Sequence, residues 1–128
     1  MDGTIGLNVI GAVSDTTNLV SLQTTGGDLQ VVNGSGSVTG VGATLISTDA
    51  SVNIGGNVDA GGTGTATLTA GNEITESGGV LIGQNAILSA VNGIGLTNNF
   101  QTQVSNLQAT NTNSGIVIFN TGDITLAN

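Results

Sequence analysis

Gly93-Ile-Gly-Leu-Thr97, Gln103-Val-Ser-Asn-Leu107-Gln-Ala109, Gly115-Ile-Val-Ile118-Phe-Asn120 and Gly122-Asp-Ile124-Thr-Leu126 are four short apolar runs in succession. In each, apolar residues alternate with small or polar ones, and Asn, Gly, Thr or Asp closes the run. Alternation at period two, in runs of about 4–8 residues bounded by turn formers, marks half-buried strands. No helix-period stripe competes with it.

Outward from this stretch the chain repeats itself. Ala66-Thr-Leu68-Thr-Ala70-Gly-Asn72-Glu-Ile74 aligns without a gap on Ala86-Ile-Leu88-Ser-Ala90-Val-Asn92-Gly-Ile94, every matched pair being 20 apart. A third copy is placed at Leu107-Gln-Ala109-Thr-Asn111, 19 beyond the second. A longer echo returns Leu29-Gln-Val31-Val-Asn33 as Ile116-Val-Ile118-Phe-Asn120. One domain over 1–128 is expected, with repeat-like units near 5–38, 39–63, 64–83, 84–104 and 105–128. A unit of roughly 20 residues cannot bury a face alone, and stacking completes its core.

Several strands per unit joined by very short turns leave no room for regular antiparallel hairpins. The expected fold is all-β: a right-handed parallel β-helix (β-solenoid) of about 20 residues per coil. Levels about 4.8 Å apart would give roughly six coils with uncapped ends. Leu68, Ile74, Val80, Ile82, Leu88, Ile94, Leu96, Leu107, Ile116, Ile118, Ile124 and Leu126 are expected to point inward, each burial contributing roughly 1.5–3 kcal/mol. Thr65, Thr67, Thr69, Thr75 and Thr125 alternate with them and face water. Asn72, Asn92 and Asn111 fall at one corner of successive coils, where stacked amides form a ladder and Asn tolerates a left-handed turn.

Composition restricts the rest. The 128 residues include 22 Gly and 2 Phe, with no Trp or Tyr, so the interior must be thin and aliphatic. Eight carboxylates face no Lys, Arg or His, for a net charge of −8. Phosphate neutralisation, and with it nucleic-acid binding, has no residues to use. Attraction to anionic membranes and transmembrane insertion are not expected either. Without cysteine there is no disulfide framework or thiolate metal site. Met1-Asp-Gly-Thr-Ile has neither a basic nor an apolar leader pattern, so an extracellular form would be a mature or excised one.

The shaft repeats of filamentous haemagglutinin-like bacterial exoproteins resemble this chain in the runs of the last 65 or so residues: Gly93-Ile-Gly-Leu, Thr102-Gln-Val104-Ser-Asn-Leu107-Gln-Ala109 and Gly115-Ile-Val-Ile118-Phe-Asn120-Thr-Gly122-Asp-Ile124-Thr-Leu126. A weaker version covers the first 40. The resemblance implies a right-handed parallel β-helix displayed on a bacterial cell surface as an adhesin shaft.

Catalysis has few candidates. Glu73 and Glu76 could suggest a glycosidase pair, but residues three apart on a strand point to opposite faces. Gly26-Gly27-Asp28-Leu29 carries a fragment of a calcium-binding nonapeptide, so calcium is a possible ligand; Asp28 and Asp123 otherwise read as turn carboxylates. Thr65-Ala-Thr67-Leu-Thr69 suggests an ice-binding rank, which Asn85-Ala-Ile87-Leu-Ser89 interrupts. Ile46, Ile87, Val117 and Phe119 should stand outside, and would offer a lateral contact if they line up. The expected function is non-enzymatic: a stiff extracellular rod without a cofactor, partnered by copies of itself end to end or by flanking repeats of a longer chain. The alternative is a solenoid face that binds ice or polysaccharide.

Overall fold

A computed structural model describes residues 6–127. The chain winds through six levels. The first holds Leu7–Val9 (β1), Ala12–Ser14 (β2) and Val20–Thr24 (β3); the second Leu29–Val31 (β4), Ser37–Thr39 (β5) and Ala43–Ser47 (β6). The third holds Val52–Ile54 (β7), Val58–Asp59 (β8) and Thr65–Ala70 (β9); the fourth Glu73–Glu76 (β10), Leu81–Ile82 (β11) and Asn85–Ala90 (β12). The fifth holds Gly93–Ile94 (β13), Phe100–Gln103 (β14) and Asn106–Asn111 (β15); the last holds Ile118–Asn120 (β16) and Thr125–Leu126 (β17). Ile116 continues the first column through an isolated parallel bridge to Ile94.

Each strand pairs in parallel with its equivalents one level away. This builds three sheets, here called A (β1-β4-β7-β10-β13), B (β2-β5-β8-β11-β14-β16) and C (β3-β6-β9-β12-β15-β17). The fold is a parallel β-solenoid with no helix among the described residues, about five full turns of about 22 residues each. That turn is longer than the 20 read from the sequence. The spacing of 20 holds from Ala66 to Ala86, whereas Ala43 to Ala66 takes 23 because the corners are longer there. Unit 5–38 accordingly contains more than one turn.

Columns of inward side chains fill the interior. Sheet A contributes Leu29, Val52, Ile74 and Ile94; sheet B contributes Val38, Val58 and Leu81; sheet C contributes Leu45, Leu68 and Leu88, all essentially inaccessible to solvent. Leu107 is buried as well. The expected inward phase fails in one strand. In Val80-Leu-Ile82 three consecutive apolar residues fit either phase, and Leu81 continues the Val58 column inward while Val80 and Ile82 stay half-buried outside. Leu96 is also outside, 46% exposed, with its side chain lying over the backbone of Gly93 and Gly115.

Between sheets A and B the chain turns through a column of glycines. A Cβ on Gly56 would stand 1.8 Å from the Gly36 carbonyl oxygen, and one on Gly79 would stand 2.2 Å from that of Gly56. Backbone packs on backbone there, which no other residue permits. One level further, Phe100 occupies the equivalent place with its ring wholly buried. No non-glycine residue among those described has positive φ, so the corner asparagines are not left-handed; Gly78 and Gly122 are.

Candidate functional site

The outer faces differ in chemistry. On the middle levels of sheet A the outward residues are polar, and Asp28, Gln30, Ser51, Asn53, Glu73, Thr75 and Ser77 line a shallow groove of about 360 Å³. Much of its hydrogen-bonding capacity is spent internally. Asp28 Oδ1 accepts from the Ser51 amide at 2.9 Å, the Asn53 amide donates to Thr75 Oγ1 at 2.8 Å, and Ser77 Oγ donates to Asn53 Oδ1 at 3.0 Å. Glu73 points outward beside this groove, whereas Glu76 continues the inward column of Val31 and Ile54. The two carboxylates cannot flank one substrate. Among the described residues no group of three or more Asp and Glu side chains is placed to hold a metal ion, and Asp28 and Asp123 lie at different corners.

Sheet C carries the threonines. Thr65, Thr67 and Thr69 share its outer face, but their neighbours are Thr44 and Ile46 on one side and Asn85, Ile87 and Ser89 on the other. The rank of hydroxyls is therefore broken at the adjoining levels. The four apolar residues expected to form a lateral contact do not converge. Ile46 and Ile87 stand in different columns of sheet C, Phe119 lies on sheet B, and Val117 sits at the corner before it.

At the corner between sheets C and A runs an amide ladder, with a correction. Asn92 Nδ2 donates to Asn72 Oδ1 at 2.9 Å, and Asn72 Nδ2 donates to Ser51 Oγ at 3.1 Å. The next member is Asn113, which donates to Asn92 Oδ1 at 3.0 Å. Asn111 is not in the ladder. β15 pairs Leu107 with Ala86 rather than with Leu88, so the third copy is displaced by 21 residues instead of 19. A slip of two residues leaves every side chain on its face, so alternation alone does not detect it. A second ladder, which the sequence reading missed, joins Asn106 to Asn85 at 2.8 Å and Asn85 to Thr65 Oγ1 at 3.2 Å. Its signal was the shared place of the three residues one position before each sheet C repeat.

Asn111 instead continues the inward column of Ser47, Ala70 and Ala90. Ser47 Oγ is satisfied there by the Gly27 carbonyl at 2.8 Å. Both polar atoms of Asn111 are buried and have no hydrogen-bond partner among the described residues. An unmade bond of this kind costs about 1–3 kcal/mol.

Asn111 lies one level below the open end of the interior. Leu107, Ala109, Ile116, Ile118, Ile124, Leu126 and Ala127, with Asn120 and Gly122, line a hollow of about 640 Å³. Ile116, Ile124 and Leu126, expected in the core, are 42%, 38% and 75% exposed, and Ile118 is half-buried. Ile116 and Leu126 occupy inward columns, yet burial in a stack needs a level on both sides and the described residues supply only one.

No protein-family model matches this chain, and no curated protein and no solved structure matches it either.

Proposed function

We propose that this chain is a non-enzymatic structural segment, a stiff β-solenoid rod that serves as part of an extracellular fibre or adhesin shaft and is extended at its ends by further parallel strands. The observation that carries this reading is the hydrogen-bonded stack of three parallel sheets, with an apolar hollow open above the last strands among the described residues. Parallel strand pairing transmits the ladder along one axis, and a further level would cover Ile116, Ile118 and Leu126. The resemblance to haemagglutinin-like shafts points the same way and supports a bacterial cell-surface location. No cofactor is required for such a role.

A second reading rests on the polar groove of sheet A. Its carboxylates, amides and hydroxyls, repeated level by level, suit a polysaccharide lying along the axis. Two measurements separate the readings. Small-angle scattering and negative-stain images of the purified chain should show elongated particles or filaments that bind no soluble glycan. Compact particles would sink the rod, and glycan binding by discrete molecules would favour the groove.

A further inference from the structure

We infer that Asn33 is a site of spontaneous covalent modification, deamidating through a cyclic imide to aspartate and isoaspartate, and that the fold protects the other Asn-Gly pair of the chain. The inference goes beyond the rod reading and holds whether or not the chain serves as a rod.

The sequence contains two Asn-Gly pairs, Asn33-Gly34 and Asn92-Gly93. Asparagine is a thermolabile residue, and a following glycine leaves the next amide nitrogen unhindered by any side chain. The Gly34 nitrogen attacks Cγ of Asn33. The N–Cγ bond forms, the Cγ–Nδ2 bond breaks, and ammonia leaves with the proton of the Gly34 amide. Water, the only co-reactant, then adds to either carbonyl of the imide and reopens it, leaving aspartate or isoaspartate at position 33. Nothing is oxidised or reduced.

By sequence the two pairs are equivalent, but the fold treats them differently. Asn33 and Gly34 are both exposed, in the turn that follows β4. A Cβ on Gly34 would meet nothing within 4 Å, so ring closure and the attacking water both have room. The Gly34 amide donates no hydrogen bond among the described residues. One bond holds the Asn33 side chain, from Nδ2 to the Ser77 carbonyl at 2.6 Å. Asn92 is half-buried and held by two, donating to Asn72 Oδ1 at 2.9 Å and accepting from Asn113 Nδ2 at 3.0 Å. Gly93 is buried, paired with Glu73 across sheet A and covered by the Leu96 side chain. The extra side-chain bond alone slows the reaction at Asn92 by a factor of about five, and the cover over Gly93 adds to it.

The modification falls on a contact that joins distant levels. Asn33 follows the second level and Ser77 the fourth, so their bond spans the third. Glycines make the passage: a Cβ on Gly55 would stand 2.6 Å from the Asn33 nitrogen, and one on Gly78 2.8 Å from Asn33 Nδ2. Conversion replaces the Nδ2 donor with an oxygen, which sets two acceptors against each other and adds a carboxylate to the eight already present. Chemical ageing therefore loosens this corner first.

The test ages the full chain at mildly alkaline pH, folded and in concentrated urea, and follows deamidation by mass spectrometry of its fragments. An endoproteinase that cuts before aspartate places Asn33 in fragment 28–48, where it is the only asparagine, and Asn92 in fragment 59–122. In the folded chain Asn33 should convert at least about fivefold faster than Asn92, and in urea the two rates should converge. Equal rates in the folded chain, faster conversion of Asn92, or a preference that urea leaves unchanged would each overturn the inference. Asn33→Asp, which fixes the converted charge, should melt at a lower temperature than the parent; an unchanged midpoint would overturn the loosening of the corner.

Discussion

Ile94 lies in the sheet A column, inaccessible to solvent, with Ile74 below it and Ile116 above. The interior is filled mainly by columns of aliphatic side chains and the chain has no basic side chain, so a carboxylate placed there finds no counter-charge. Ile94→Asp should therefore destabilise the chain by about 4 kcal/mol or more, read as a lowered midpoint in denaturant. A change under about 1 kcal/mol would mean the column is not load-carrying in the way burial implies. Asp15 shows the opposite environment. Its carboxylate accepts from the Thr17 amide and hydroxyl, both at 2.9 Å, and from the Asn18 amide at 3.1 Å. These bonds, that from the Thr17 amide foremost, favour the charged form and hold its pKa below 3.8. A depressed folded pKa contributes stability that is present above the unfolded value and lost as pH falls through the folded one. In NMR titration the Asp15 carboxyl should reach its midpoint below 3.8, and Asp15→Asn should abolish that local pH dependence.

At the scale of the element, corners and columns carry the specificity that strands lack. The ladder from Asn113 through Asn92 and Asn72 to Ser51 links four levels by side-chain bonds of 2.9–3.1 Å. Asn92→Ala breaks two of them and should cost about 1–2 kcal/mol. Asn111→Ala should do the reverse. It removes an amide that is buried and unpartnered and restores the residue type of Ala70 and Ala90 in its column, so the isolated chain should gain about 1 kcal/mol. Thermal or denaturant melting of the two variants at low protein concentration checks the opposite signs. Equal losses would place Asn111 in a bonded network after all.

For the whole molecule, charge sets the terms of assembly. Eight carboxylates and no basic side chain mean that any two copies repel at neutral pH. Between exposed charges this repulsion is screened beyond about 10 Å at 0.1 M salt and beyond about 3 Å at 1 M. Any association between copies should therefore strengthen as sodium chloride rises, and again as pH falls toward the pI of about 4.1. Sedimentation velocity across a salt series checks this; lengthening at low salt that disappears at high salt would contradict it.

Much of this was legible in the residues. Alternation in the runs from Gly93 to Leu126 gave strands, the repeat of Ala66–Ile74 at Ala86–Ile94 gave parallel stacking, and the scarcity of aromatic rings gave a thin interior. Leu68, Ile74, Leu88 and Ile94 lie where their alternation put them because period two leaves one face for the core. The sequence alone did not settle register. A shift of two residues preserves every face, so Asn111 and Asn113 were interchangeable until the pairing of β12 with β15 assigned one to the interior and the other to the ladder. Nor could it say which apolar residues are covered. Ile116 and Leu126 have inward-column places, but burial in a solenoid depends on the level above, which is a property of the stack and not of the strand.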